Sequence, residues 1–218
     1  MGTRNLTAVF IDGEYKVAQY GQWDGYPEGG GVHILKALQK AQEDDFETLK
    51  QACRNSQFIS DDEINLRWNT VGADGTGFVS MDIAKKFQEK WPQLGRDMGY
   101  KVIAHLLEHP EGLELSDHLS FAADSLFCEF AYVVDLDKNT FEVYKGFNKE
   151  KLDDNERFFG VEEANQDHRS DEDKYSPVRL WHSFDLNNLP KDEDEFMAHF
   201  QEPEEDEEFD GDTPSMKM

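Results

Sequence analysis

The feature that most constrains the fold is a tight turn near the start of the chain, Asp12-Gly13. An Asp-Gly pair tolerates positive φ at both central positions of a two-residue turn, the kind of turn that joins antiparallel strands. The flanking segments, residues 6–11 and 15–20, are rich in strand-forming residues. Apolar side chains occupy both alternation phases of residues 6–11, which is typical of a strand buried on both faces. The sequence therefore predicts an N-terminal hairpin whose first strand lies inside a sheet.

Helical periodicity follows the hairpin in several short segments. Ser60 and Glu63 have the spacing of a capping box, in which a hydroxyl and a carboxylate each satisfy the other's orphan backbone donor. Elsewhere apolar residues recur every three or four positions, as on the buried face of a helix. We expect helices at residues 32–42, 45–54, 60–68, 80–91 and 96–108.

Strand signals return in the second half of the chain. Residues 126–134 and 140–144 are rich in Phe, Val and Tyr and predict a second hairpin with a longer turn. A further strand at 178–184 and a helix at 190–200 complete the pattern. Because the strands come in hairpins and do not alternate with helices, the order predicts an α+β fold. Its sheet is expected to be antiparallel, built from the two hairpins and packed with several short helices.

Length and charge bound the domain organisation and the partners. A chain of 218 residues suffices for one domain, expected at residues 1–200, with an acidic polar excursion at 150–177 and a disordered acidic tail at 201–218. The net charge is −25, and residues 150–218 contribute most of it, with 23 acidic and 7 basic residues. Such a field repels nucleic-acid phosphates and anionic membranes and attracts basic protein surfaces. We therefore expect a protein partner with a basic surface, no direct nucleic-acid binding and no membrane association.

The compartment predicted from the sequence is the cytoplasm. The first residues, MGTRNLTAVF, hold no basic segment followed by an apolar core, so no secretory leader is visible. No apolar run approaches the ~20 residues that cross a bilayer. Cys53 and Cys128 lie far apart among apolar residues, which is typical of buried free thiols. No motif implies a cofactor, and none is expected.

One candidate nucleophile lies at the N-terminus. Removal of the initiator methionine exposes Gly2, which has no side chain, whereas removal of both residues exposes Thr3, whose hydroxyl its own amine could activate. A hairpin followed by a helix resembles the opening of the N-terminal nucleophile hydrolases, and that resemblance implies an amide hydrolase. The residues of suitable type to complete such a site with Thr3 are Arg4, Asp24, Asp12 and Lys16. The alternative for Arg4 is a role at a strand edge or as a cap.

A metal pattern occurs at His105-Leu-Leu-Glu108-His109. Two histidines one helical turn apart share a face, and the glutamate of an H-x-x-E-H sequence activates a zinc-bound water. Pro110, however, breaks the helix at the second histidine, and no residue marks the third ligand. The alternative is a helix end at which histidines complement the C-terminal dipole.

A possible recognition loop follows the first hairpin, within a segment of five glycines at residues 21–31. Aromatic side chains on a Gly-rich loop offer a stacking surface, and carboxylates beside them offer polar anchors. The residues of this candidate binding loop are Trp23, Asp24, Tyr26 and Glu28. The alternative is a hinge packed on the core, and the sequence does not decide between the two.

Four segments carry a resemblance to a known family: MGTRNLT, KVAQYGQWDGYPEG, VSMDIAKKF and SLFCEFAYVVDLDKNTFEVYKGFNKE. Together they resemble an uncharacterised family of bacterial and bacteriophage proteins, over residues 1–152. The resemblance implies a bacterial or phage-infected cytoplasm and carries no activity, cofactor or catalytic residue. With the charge distribution, it favours an acidic, soluble, non-catalytic protein-binding or accessory factor of phage or bacterial type. The alternatives are an amide hydrolase like the N-terminal nucleophile enzymes and, less favoured, a zinc hydrolase.

Overall fold

The computed structural model describes residues 2–74, 79–162 and 175–201. The strands in this part of the chain are β1 (Asn5–Ile11), β2 (Glu14–Gly21), β3 (Gln57–Phe58), β4 (Glu114–Leu115), β5 (Phe130–Asp135), β6 (Thr140–Lys145) and β7 (Arg179–Asp185). The α-helices are α1 (Val32–Gln42), α2 (Glu47–Asn55), α3 (Asp61–Thr70), α4 (Met81–Lys90), α5 (Val102–Glu108) and α6 (Glu193–Met197). Five strands form the main sheet in the order β2-β1-β5-β6-β7, and β3 and β4 form a separate ribbon.

The α+β class is confirmed, but the main sheet is mixed and not antiparallel throughout. β1 pairs antiparallel with β2 across the Asp12-Gly13 turn, and β6 pairs antiparallel with both β5 and β7. β1 and β5, however, run parallel. The reason is the long connection between β2 and β5: its helices return the chain to the free side of β1 in the direction of β1, which a short hairpin turn cannot do.

Both faces of β1 are buried, as the alternation of its side chains predicts. On the face covered by α1, α2 and α5, here called the helical face, Val9 and Ile11 join a large apolar core. On the opposite face, Leu6 and Ala8 pack with Phe158, which comes from the predicted acidic excursion. Burial of each large apolar side chain stabilises the fold by about 1.5–3 kcal/mol. The two cores therefore hold β1 from both faces of the sheet.

Helix boundaries differ from the predictions where backbone conformation intervenes. The helix expected at 96–108 is shorter, because Gly99 has φ +41°, which an α-helix does not accommodate. A 3₁₀ turn (Gly99–Lys101) follows, and α5 begins only at Val102. The helix expected at 190–200 is α6 followed by another 3₁₀ turn, Ala198–Phe200. Inside the predicted loop at 21–31, a π-helical turn (Pro27–Gly31) leads directly into α1.

The two acidic segments are described only in part. Residues 150–162 of the predicted excursion form neither helix nor strand, and residues 163–174 lie outside the described residues. The predicted tail at 201–218 also lies outside them, except for Gln201. Cys53 and Cys128 are buried and free. None of the helices in the described ranges is long and apolar enough to cross a membrane.

Candidate binding site at the residue 23–28 loop

The loop at residues 23–28 connects the end of β2 to α1, and its backbone is tied to the sheet. The Gly25 amide donates a hydrogen bond to the Thr3 carbonyl (3.0 Å). The Tyr132 hydroxyl donates to the Gly25 carbonyl (2.7 Å). Tyr132 lies on β5 and is fully buried in the core of the helical face. The middle of the loop is therefore held by a side chain from the centre of the sheet.

Asn5, buried at the start of β1, holds the loop from below. Its Nδ2 donates to the carbonyls of Trp23 (3.3 Å) and Gly21 (3.5 Å). A Cβ on Gly25 would lie 2.6 Å from Asn5 Nδ2, and one on Gly21 would lie 2.6 Å from Asn5 Oδ1. Since real Cβ atoms do not approach neighbours so closely, packing requires glycine at both positions. These glycines therefore allow the loop backbone to pack closely against Asn5, and their presence does not indicate a flexible loop.

Side chains of the loop fall into two sets by exposure. Gly25 and Pro27 are buried against the core. All four residues predicted to form a binding loop are exposed, namely Trp23 (47%), Tyr26 (36%), Asp24 and Glu28. The sequence left a recognition loop and a packed hinge as alternatives. In the structure, Gly25 and Pro27 pack on the core while the other four residues face solvent, so the same backbone takes both roles.

A cavity of about 280 Å³ lies beside the loop, and we call it the polar cavity. Trp23 forms one wall, and the segment before α5 contributes Asp97. The indole Nε1 of Trp23 donates to Asp97 Oδ1 (3.0 Å), and Gln88 Nε2 on α4 donates to Asp97 Oδ2 (3.4 Å). The half-exposed indole is therefore fixed in orientation by a hydrogen bond.

The charges that border the polar cavity favour a cation. Asp24 and Asp97 supply two carboxylates, and Lys101 supplies one ammonium group. Tyr100 also lines the cavity. Its pKa is raised, first by burial and then by electrostatic repulsion from Asp24 and Tyr26. A cation in this cavity would meet one carboxylate in excess and the aromatic side chains of Trp23 and Tyr100, a combination that binds guanidinium and ammonium groups.

The residues proposed for an N-terminal nucleophile site come together only in part: the Thr3 carbonyl accepts a hydrogen bond from the Gly25 amide (3.0 Å), next to Asp24, but the side chains of Arg4 and Asp24 have other surroundings. Arg4 places its guanidinium over the Phe127 ring (4.5 Å), whereas Asp24 lines the polar cavity. Within the described ranges, the Thr3 hydroxyl forms no hydrogen bond to either side chain. Asp12 lies at the opposite end of β1 and pairs with Arg54. The geometry therefore gives the hydrolase hypothesis no support.

The histidines of the predicted zinc pattern lie side by side, with ring centroids 4.5 Å apart. α5 ends at Glu108, so His109 is already outside the helix, and its Nδ1 contacts Glu111 Oε1 (2.9 Å). The described residues contain no group of three or more His, Cys, Asp or Glu side chains that could hold a metal ion. His105, Glu108 and His109 lie at a helix end with no third ligand among the described residues, so the zinc hypothesis has no geometric support there.

A second polar cluster, on the face of the sheet opposite the helices, was not identified from the sequence. Arg157 forms ion pairs with Asp135 and Glu142, and all three side chains are at most 10% exposed. The Tyr144 hydroxyl donates to Glu142 Oε2 (2.6 Å). An adjoining cavity of about 510 Å³ is lined by apolar as well as charged side chains. Because Arg157 belongs to residues 150–162 and its partners lie on β5 and β6, these ion pairs join that segment to the sheet.

Sequence reasoning found the loop but not the opposite wall of the polar cavity. Asp97, Tyr100 and Lys101 lie between α4 and α5, 74 or more residues after Trp23, and only the fold brings them beside it. No motif marks them, although Gly99 among them signals an interrupted helix. Comparisons with protein-family models, with curated proteins and with solved structures found no match to this chain.

Proposed function

We propose that this chain is a non-catalytic protein-binding or accessory factor of phage or bacterial type that acts in the cytoplasm and binds a partner with a basic surface. Its contact site is the 23–28 loop. The observation that carries the proposal is the state of Trp23, whose ring is 47% exposed yet oriented by a hydrogen bond to Asp97. Aromatic side chains held in this way bind with little loss of conformational entropy and are common centres of protein interfaces.

Charge supports the same proposal. The net charge of −25 attracts a basic protein over a distance and speeds its approach. At short range, Asp24 and Glu28 place carboxylates beside the exposed rings of Trp23 and Tyr26. Aromatic contacts then supply most of the affinity, and the carboxylates supply orientation.

The test is a capture experiment with three forms of the full chain, incubated with bacterial lysate at moderate salt. The wild type is compared with a Trp23→Ser/Tyr26→Ser double variant and with Phe159→Ser, which removes an aromatic ring of similar exposure (53%) outside the loop. We expect the wild type and the Phe159 variant to retain the same basic protein and the loop variant to lose it. Recovery of no partner by the wild type, or equal recovery by all three forms, would contradict the proposal.

A further inference from the structure

The polar cavity continues into a second cavity of about 400 Å³, which we call the apolar cavity. Gln88 and Asp97 line both cavities and are joined by a hydrogen bond (3.4 Å), and we call this shared boundary the ridge. The apolar cavity lies against α4 and the turn that follows it, with Trp68 on α3 as one wall. The exposed face beside the 23–28 loop is therefore a groove with two depressions.

The floor of the apolar cavity is aromatic. The rings of Trp68 and Phe87 stack face to face, with centroids 3.6 Å apart and planes 4° from parallel. Ala84 and Leu94 add aliphatic surface. α3 has no fully buried residue, and Trp68 itself stays partly accessible beside this stack. A surface of this composition gains free energy when a bulky apolar side chain covers it.

The two cavities differ in the side chain they favour. The polar cavity keeps a net negative charge, because Lys101 offsets only one of the carboxylates of Asp24 and Asp97. Arg96 is part of the lining of the apolar cavity and not of that of the polar cavity. A planar guanidinium can stack on an indole and bond a carboxylate with two N–H groups, which an ammonium cannot do. The polar cavity, at about 280 Å³, is smaller than sites for whole small molecules, which have ~300–1,000 Å³, and the apolar cavity, at about 400 Å³, has room for one bulky side chain.

We propose that the groove binds an extended segment of the partner protein that places an arginine side chain in the polar cavity and a bulky apolar side chain in the apolar cavity. This inference rests on the proposed function and gives the chemistry of the partner's contact segment. Charge complementarity selects the first anchor, and the aromatic floor selects the second. The shared ridge of Gln88 and Asp97 fixes the distance between them.

The experiment uses the ¹⁵N-labelled full chain and capped synthetic peptides in which Arg and Phe are separated by glycine runs of different length. The indole N–H signals of Trp23 and Trp68 report on the two cavities, and that of Trp181 on β7 is the internal reference. We expect one spacing to shift the Trp23 and Trp68 signals together and to leave Trp181 unchanged. Replacing Arg by Glu, or Phe by Ala, is expected to weaken that peptide about tenfold or more.

Two variants locate the anchors. Asp24→Asn is expected to weaken the Arg-containing peptide several-fold, whereas Asp154→Asn, an exposed carboxylate outside the groove, leaves it unchanged. Ala84→Glu places a charge in the apolar cavity and is expected to abolish the preference for Phe over Ala. The unchanged Trp181 signal establishes that each variant is folded.

Outcomes separate this inference from the proposed function. If no spacing shifts both indole signals, or if Ala84→Glu binds the peptides like the wild type, the two-anchor groove is wrong. The proposed function would still stand if capture of the basic partner continued to require Trp23 and Tyr26. If capture did not require them, the proposed function would fail whatever the peptides showed.

Discussion

Arg157 has surroundings unlike those of an ordinary surface cation. Its Nε donates to Glu142 Oε2 (2.6 Å), and its Nη2 donates to Glu142 Oε1 (3.0 Å) and to Asp135. Burial alone would lower the pKa of Arg157, but the hydrogen bonds to Glu142 and Asp135 outweigh it, and the pKa is raised. The guanidinium therefore stays charged and compensates two buried carboxylates.

Replacing Arg157 by Met is expected to reduce the free energy of unfolding by about 3–5 kcal/mol, because Asp135 and Glu142 would remain buried without a counter-charge. Arg157→Lys keeps the charge but loses the two-pronged geometry, so its loss is expected to be smaller. Urea unfolding measures both. Arg54→Met is the matched control, because the ion pair of Arg54 with Asp12 is half exposed. If Arg54→Met destabilised the protein as much as Arg157→Met, this account would be contradicted.

His118 gives a prediction about pH. Its Nδ1 accepts a hydrogen bond from the Tyr20 amide (3.4 Å), which requires an unprotonated Nδ1. Burial lowers the pKa of His118 below 6.5, more than the Ala18 carbonyl and Asp117 raise it. The unfolded chain therefore takes up a proton at higher pH than the folded chain, and the free energy of unfolding falls as pH decreases through about 6.5.

His118→Asn keeps an acceptor near the Tyr20 amide and removes the titrating group. We expect the fall in unfolding free energy between about pH 8 and pH 5 to become shallower in this variant. It should not vanish, because burial also lowers the pKa of His33, His105 and His182. Urea unfolding across this range is the measurement, and an unchanged slope would show that His118 does not titrate as described.

At the scale of elements, the sheet orders the 23–28 loop through one hydrogen bond. Tyr132→Phe removes the donor to the buried Gly25 carbonyl. We expect a loss of about 1–3 kcal/mol in unfolding free energy, the usual cost of an unsatisfied buried acceptor. We also expect several-fold weaker partner binding, because Trp23 and Asp24 lose their fixed support.

Tyr144→Phe is the control for this prediction. The Tyr144 hydroxyl also bonds a buried acceptor, Glu142, but on the face of the sheet opposite the loop. Tyr144→Phe should therefore lower the free energy of unfolding without changing the affinity for the purified partner, as measured by titration calorimetry. Equal losses of affinity in the Tyr132 and Tyr144 variants would mean that the hydrogen bond acts through global stability alone.

Elements specified by local chemistry could be predicted from the sequence, and those specified by distant contacts could not. The Asp12-Gly13 turn and the Ser60 capping box are settled by neighbouring residues, and both occur as predicted. The parallel pairing of β1 with β5 depends on the path of the helices between them, which no local pattern contains. The same holds for the site: the exposed loop carries a local signal, whereas Asp97 reaches Trp23 only through the fold.

At the scale of the whole molecule, the main sheet separates two regions of different character. The helical face anchors the 23–28 loop through Tyr132, and the opposite face carries the ion pairs of Arg157. A net charge of −25 surrounds both. Because exposed charges are screened over about 8 Å at physiological ionic strength, partner association should slow as salt is added, while the aromatic contacts should keep dissociation nearly constant.

The most direct test of the central claim is the affinity of the purified basic partner for the wild type, for Trp23→Ser/Tyr26→Ser and for Phe159→Ser, measured by calorimetry. The account predicts that the loop variant binds at least about a hundredfold more weakly, as expected when two aromatic anchors are lost. The Phe159 variant should match the wild type. Equal affinity of the loop variant and the wild type would contradict the claim that the 23–28 loop is the contact site.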